Sequence, residues 1–313
     1  NNDNDLLSLA QHSIFSISYK GICKNTATHF WKTKNIENLI YIKLKTGRTV
    51  KISKIHPFLT QRGWVKASEL DKRDRIAIPR VINIEGKEQN IPNFLKDYEI
   101  PDINKIKFKR GKKYSIDLQK YIVSEYLNNR KTTELSRELG IHYECIRDIL
   151  KKYKIPIRWV RVIPKIPNKT SPEFWEWLGL LLSEGYIYDC SGSLRTSWSN
   201  TDISLIKRYV DLTKRLFNIK IKSRKWKDHT PEFYFDCNLI KPFYEYLGIT
   251  IPSSSENKII PDILFKCTKE EIGAFLSGYI DGDGTISKDG GIHIYSKSQG
   301  LINQLQLLLI RLG

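Results

Sequence analysis

Two acidic residues, Glu184 and Asp283, hold the same place in two copies of one pattern. The copies are Trp177-Leu-Gly-Leu-Leu-Leu-Ser-Glu-Gly185 and Leu276-Ser-Gly-Tyr-Ile-Asp-Gly-Asp-Gly284, with small residues at the third and seventh positions, an acid at the eighth and glycine at the ninth. Positions three and seven are i and i+4 on a helix. Gly179 with Ser183, and Gly278 with Gly282, therefore make flat faces along which two helix backbones can approach closely. The acids then meet at one end, each in a last turn where the helix macrodipole already disfavours negative charge, and their mutual repulsion adds to the cost. A divalent cation resolves both problems. None of the six histidines stands in an H-x-x-x-H or H-E-x-x-H arrangement, so the metal rests on carboxylate oxygens and is of the magnesium type, Mg2+ or Mn2+.

Helices are needed to bring the two acids together, and the flanks supply their signals. Thr170-Ser-Pro-Glu173 offers a capping residue, a first-turn proline and a box-closing glutamate; Thr268-Lys-Glu-Glu271 offers a second box; Gly185 and Gly284 are suitable stops. Between them the periodicity predicts a strand over 194–199, an amphipathic helix over 202–217, strands over 219–222 and 232–236, and a helix over 239–247. After Asp283 the same order restarts with strands at 284–287 and 291–295 and a helix over 301–312.

The paired motifs resemble the dodecapeptides of the LAGLIDADG homing endonucleases, the second copy more closely than the first. In the first, Leu182 stands where the family has an acid and Glu184 where it has aspartate, which keeps the carboxylate and lengthens its reach by one methylene. The resemblance implies a pseudo-twofold αββαββα nuclease over 170–313 with its second half incomplete, acting as a monomer. It implies cleavage of both strands of double-stranded DNA at a long specific site, with Glu184 and Asp283 sharing the metal. Lys258, in Lys-Ile-Ile-Pro261, stands where the family has a basic residue that assists near the scissile phosphate.

Residues 112–158 are predicted to form a separate helical insert. Glu134-Leu-Ser-Arg-Glu-Leu-Gly-Ile-His-Tyr-Glu-Cys-Ile-Arg-Asp-Ile-Leu150 has helix-turn-helix spacing, with Gly140 at the turn. Its second helix would carry His142, Tyr143, Glu144 and Arg147 toward a major groove, with Lys151, Lys152 and Arg158 as basic surroundings. A plain helical hairpin with a solvated charged face has the same spacing.

The front end, 1–100, reads as β-rich: Leu39-Ile-Tyr-Ile-Lys-Leu alternates, Thr46-Gly-Arg turns, and Thr49-Val-Lys-Ile-Ser returns. Residues 81–112 read as a connection between domains. Ser53-Lys-Ile-His-Pro-Phe-Leu-Thr60, Gly63-Trp and Asp74-Arg-Ile-Ala-Ile-Pro-Arg80 resemble the N-terminal portion of the Hint fold of inteins. There, by resemblance, His56 strains and protonates the upstream splice-junction amide and the Ser53 hydroxyl holds its geometry; Arg73 replaces the glycine usual before Asp74. The chain thus reads as a multidomain α+β protein, a split Hint module joined to host exteins and carrying a helix-turn-helix and a nuclease.

Composition agrees with a polyanion as partner. The 313 residues carry a formal net charge of +18, spread along the chain. No run reaches the roughly 18 apolar residues that span a bilayer and no signal peptide opens the chain, so a cytoplasmic location and no membrane partner are expected. Five scattered cysteines without C-x-x-C spacing read as reduced thiols. The lack of any methionine suggests a segment of something longer. Two other readings use the same scaffold, a non-cleaving DNA-binding regulator and an RNA-binding intron maturase. The first would typically lose one eighth-position acid, and the second has no use for the HPFLT block.

Overall fold

A computed structural model of the chain describes residues 13–18, 21–27, 39–95, 103–109, 113–128, 130–155, 164–225, 227 and 229–313. Arg158 and the insert boundaries at 112 and 158 lie outside these. The chain divides into two compact units, one of residues 1–86 with 299–313 and one of residues 87–298.

The first unit is built from hairpins. β1 (Ser13–Ser18) pairs with β2 (Gly21–Thr26), β3 (Ile40–Lys43) with β4 (Thr49–Ile52), and β5 (Pro57–Thr60) with β6 (Gly63–Lys66), all antiparallel. Gly47 turns the second hairpin at φ 85 and Gly63 opens β6 at φ 89, left-handed values that favour glycine.

The second unit begins with residues 87–95, which the sequence reads as part of a connection. They are anchored: Gln89 N donates to Thr170 Oγ1 at 2.9 Å, Ile91 N donates to Asn168 O at 2.8 Å, and Ile91 and Leu95 are buried. Proline and charge mask the pattern here, because the segment is held by backbone pairing and by Ile91, Phe94 and Leu95, which follow no regular apolar period. Three helices follow, α1 (Ile116–Leu127), α2 (Thr132–Leu139) and α3 (Tyr143–Lys152). They close on a core that includes Ile122, Val123, Leu135, Ile146 and Leu150. Ser115 caps α1 through its hydroxyl, and Gly140 takes φ 63 in the turn between α2 and α3.

The rest of the unit is α4 (Pro172–Glu184), β7 (Gly185–Cys190), β8 (Ser193–Ser199), α5 (Ile203–Phe217), β9 (Lys222–Arg224), β10 (Glu232–Asp236), α6 (Lys241–Tyr246), α7 (Lys269–Asp283), β11 (Gly284–Ile286) and β12 (Ile292–Ile294). The first four strands form an antiparallel sheet in the order β7-β8-β10-β9, and β11 pairs with β12. β9 starts three residues later than the alternation suggests: Ile219 is buried, and Lys222 and Arg224 pair with β10. Trp175, Trp177 and Trp198 are fully buried. An aromatic of this size removes roughly 150–250 Å² from water, about 4–6 kcal/mol gross before its ordering entropy is counted. Trp198 stacks on Tyr209 of α5 and donates its indole N–H to Leu180 O at 2.8 Å, which locks the sheet to α4.

The final helix, α8 (Gln299–Leu312), is expected from sequence order to close the second nuclease half. It falls in the first unit, where Ile82 N donates to Ile310 O at 3.0 Å and Arg311 donates to Ile84 O at 3.1 Å. The apolar stripe of Leu301, Leu305 and Leu308 specifies burial but not the surface that supplies it. No disulfide joins the five cysteines, and among the described residues no helix is long and apolar enough to cross a membrane.

Candidate active site

α4 and α7 touch backbone to backbone, and the contact has an approximate two-fold symmetry. A Cβ on Gly179 would strike the Phe275 carbonyl oxygen and lie 2.8 Å from Tyr279 N; a Cβ on Gly278 would strike the Glu176 carbonyl oxygen and lie 3.2 Å from Leu180 N. Phe275 and Tyr279 stand in the second motif where Glu176 and Leu180 stand in the first, so each glycine meets the same two places of the other copy. At the seventh positions a Cβ on Gly282 would lie 2.6 Å from Ser183 Cβ. Ser183 is buried and turns its hydroxyl back to Leu180 O at 2.8 Å.

The caps are those of the sequence with one change. Thr268 and Glu271 form the expected box on α7. On α4 the capping residue is Ser171, whose hydroxyl accepts from Phe174 N at 3.2 Å, because Thr170 is committed to Gln89. Gly185 and Gly284 end the helices, but not through left-handed backbone: both are extended, at φ −92 and −88. A Cβ on Gly185 would strike Leu181 O and one on Gly284 would strike Ile280 O. Space, not φ, requires glycine where each helix passes directly into a strand.

This geometry brings Glu184 and Asp283 to the same end of the helix pair. Both carboxyls have pKa values raised above the ordinary range, first by burial; for Glu184 the Asp283 charge adds to it. The Lys258 ammonium opposes both shifts, and its own pKa is lowered by burial against the pull of the two acids. Lys258 Nζ donates to Ser183 O at 2.7 Å. Its loop is fixed on both sides: Ser253 exchanges hydrogen bonds with the backbone of Ile187 at 2.8 and 2.9 Å, and Ser298 Oγ donates to Lys258 O at 2.7 Å. Thus Glu184, Asp283 and Lys258, distant in sequence, form one cluster.

The donor set suits a hard divalent cation. Two neighbouring carboxylates, Glu184 exposed and Asp283 half-buried, with one ammonium beside them favour one. Among the described residues no group of three or more His, Cys, Asp and Glu side chains converges, so further ligands would be water and phosphate oxygens, the way Mg2+ is usually held.

Beside the cluster the sheet offers a polar, aromatic outer face that the sequence reading missed. Tyr186 and Tyr188 stack at 4.9 Å on β7. Tyr234 of β10 lies under three cations, with Arg195 at 4.2 Å, Arg224 at 5.1 Å and Lys222 at 5.5 Å from the ring centre. Asp236 pairs with Arg195 at 2.7 Å and with Lys222 at 3.0 Å, while Glu232 pairs with Arg224. The signal was the alternation itself: Ile187, Leu194, Thr196, Trp198 and Phe235 are buried, and the residues between them belong to the other face.

On the three-helix module, His142 precedes α3 and is exposed with Tyr143, their rings 4.6 Å apart. Arg147 and Lys151 continue that line at i+4 spacing, Arg147 half-buried and Lys151 exposed. Lys152, also exposed, donates from its ammonium to Gln119 Oε1 at 2.9 Å and Lys109 O at 3.2 Å, tying α3 to α1.

In the β-rich unit, His56 N donates to Ser53 O at 3.1 Å, so the two residues share one turn. The Ser53 side chain is half-buried, and the exposed His56 ring packs edge-on to Phe58 at 5.5 Å.

Residues 270–313 match the family model of the LAGLIDADG-like domain. The chain is 27% identical over 308 residues to the probable translation initiation factor IF-2 of Thermococcus kodakarensis, covering 91% of this chain and 25% of that protein. It is 24% identical over 289 residues to the corresponding protein of Methanocaldococcus jannaschii, covering 91% and 24%. It is also 25% identical over 298 residues to the reverse gyrase of Methanocaldococcus jannaschii, covering 90% and 17%. The chain therefore spans a quarter or less of the length of these relatives. A solved structure of mesophilic variants of the homing endonuclease I-DmoI aligns with 44% of this chain and 75% of that one, at 18% identity and a TM-score of 0.34.

Proposed function

We propose that the chain carries a site-specific DNA endonuclease that cuts both strands of a double-stranded target, within a self-splicing intein. The observation that carries this reading is the two-fold meeting of α4 and α7, which sets Glu184 and Asp283 side by side at the edge of a basic, aromatic sheet face. The relatives support the intein setting: an initiation factor and a reverse gyrase share no activity by name, yet the chain aligns over about nine-tenths of its length with a minor part of each. What they have in common is then an inserted element with its own chemistry.

In this reading the sheet face and the line His142, Tyr143, Arg147, Lys151 lie along DNA and supply charge to phosphates and donors to base edges. A bound Mg2+ or Mn2+ would activate a water and stabilise the leaving oxygen of the phosphodiester. Glu184 and Asp283 hold the charge that binds the cation. Lys258, fixed through Ser183 O, adds a positive charge beside the scissile phosphate. In this reading each acid serves one strand, so one chain suffices for two cuts. Ser53 and His56 serve the separate splicing reaction at the upstream junction, with His56 as the proton donor to the scissile amide.

The deciding experiment uses the full-length protein on a plasmid bearing the intein-free host allele with Mg2+. Asp283→Asn and Glu184→Gln are each expected to abolish double-strand cutting and to retain DNA binding, because each removes charge without changing size. Persistent linearisation by either variant would overturn the reading.

A further inference from the structure

Lys258 reaches the acids from a loop with two anchors, and the anchors belong to different copies of the repeat. At one end, buried Ser253 accepts the N–H of Ile187 on its hydroxyl at 2.8 Å and donates its own N–H to Ile187 O at 2.9 Å. Ile187 lies on β7, the strand that leaves the first motif directly after Glu184. At the other end, the carbonyl of Lys258 itself accepts from the hydroxyl of buried Ser298 at 2.7 Å. Ser298 follows β12, the second strand of the hairpin that leaves Asp283. Asn257 braces the span between the anchors: its Oδ1 accepts from Ser254 N at 2.6 Å and its Nδ2 donates to Pro252 O at 3.3 Å.

The ammonium ends on Ser183 O, in the last turn of α4, where the helix leaves carbonyls without a partner and its dipole favours a cation. A lysine head rides on a flexible four-carbon stem, so it is placed only as well as the backbone beneath it. We infer that Ser253 and Ser298 are positioning residues for Lys258, holding its loop as a strap between the two halves of the repeat so that one ammonium is set by both at once. Neither serine touches substrate or metal; each acts through the lysine. A displacement of about 1 Å near the reacting atoms can cost about 10²-fold in rate. Under the nuclease reading on which this rests, loosening the strap therefore slows the chemical step and leaves DNA binding alone.

The test is Ser298→Ala in the full-length protein, which deletes one oxygen and keeps both acids and the lysine. Single-turnover cutting of bound duplex with Mg2+ is expected to slow about 10- to 100-fold on both strands, while DNA affinity and thermal melting stay close to wild type. In a Lys258→Met background, slow in itself, the same change is expected to slow cutting no further. A second readout needs no DNA: acetic anhydride followed by peptide mass spectrometry measures how fast the Lys258 amine reacts, with exposed Lys269 as internal standard. Held on Ser183 O, the amine reacts slowly in the wild type; in Ser298→Ala it is expected to react severalfold faster. Ser253→Ala is the second variant in case the first melts early, with the same outcomes expected of it. Equal slowing with and without the lysine, or unchanged Lys258 reactivity, overturns the inference. Were the wild type to cut no DNA at all, the nuclease reading would fall, and the labelling would still decide whether the strap holds Lys258.

Discussion

The two compact units hold their candidate residues by opposite means. In the unit of residues 87–298, Glu184 and Asp283 end helices whose contact is backbone on backbone, backed by fully buried Trp175, Trp177, Phe275 and Tyr279. In the β-rich unit, Ser53 and His56 close a turn that contains exposed Ile55, and Trp64 of β6 is 62% exposed. Its order comes from local polar links: Gln61 Oε1 accepts from Arg75 N at 2.6 Å, Thr60 Oγ1 donates to Gly63 O at 3.0 Å, and Asp74 pairs with Arg62. A dense core fixes a site to within a few tenths of an ångström, so small changes of volume are felt there. A network of exposed hydrogen bonds fixes a site only as well as those bonds survive solvent, and single losses stay local.

The largest effect expected from this contrast lies at the helix crossing. Gly179→Ala and Gly278→Ala put a methyl against a backbone carbonyl that no rotamer change can clear, so each should destabilise by about 1–3 kcal/mol or more. Gly273→Ala is the control on the same α7, where a Cβ would meet nothing within 4 Å; there alanine should stabilise the helix by about 0.5–1 kcal/mol. Chemical denaturation midpoints of the three variants test this. Equal behaviour of all three would mean that close approach is not what the small residues provide.

A middle-sized effect separates two adjacent lysines on α3. Arg147→Ala should weaken binding to the specific site by about 1–3 kcal/mol if it reads a base edge, while Lys151→Ala should weaken all sequences alike and flatten the salt dependence. Lys152→Ala should instead lower melting of the three-helix module, because it breaks the links to Gln119 and Lys109, and should leave the salt slope unchanged. Titrations on specific and random duplexes at several salt concentrations, with melting curves beside them, distinguish the three. A Lys152→Ala variant that loses affinity and keeps its melting point would return that residue to the DNA-facing set.

These contrasts follow the line between what was legible in the sequence and what was not. The paired motifs were readable because backbone contact admits few residue types, so Gly179, Gly278 and Gly282 announce it without any structure. Lys258 was readable only by its place before Ile-Ile-Pro; nothing local says that its ammonium reaches Ser183 O. The basic sheet face was missed because its members alternate with core residues over three separate strands, and their union depends on the order β7-β8-β10-β9. Likewise the stripe on α8 states that one face is buried, and the covering surface is a matter of tertiary placement. Lys151 and Lys152 look alike in sequence and differ by the 100° that separates neighbours on a helix.

The smallest expected effect belongs to Asp74, and it shows how the β-rich unit depends on its exposed links. Its carboxyl is held down to a pKa of about 2, first by the hydrogen bond from Arg62 and then by the backbone N–H of Asp71, which donates at 2.7 Å. An unfolded aspartate titrates near about 3.9. A group whose folded pKa lies below its unfolded value gives stability that is complete above the unfolded pKa and is lost as pH falls through the folded one. The contribution of Asp74 should therefore be intact at pH 5 and fade over the range from about 4 to about 2, and solvent screening keeps it modest. The amide resonance of Asp71 reports it directly: its shift should titrate with a midpoint near 2 in the wild type and move up toward about 4 in Arg62→Ala. In Asp74→Asn that titration should vanish, while the Glu184 and Asp283 region stays unchanged. A midpoint already near 4 in the wild type would mean that the ion pair does not hold this turn, and that the hairpins around Ser53 and His56 owe their order to backbone pairing alone.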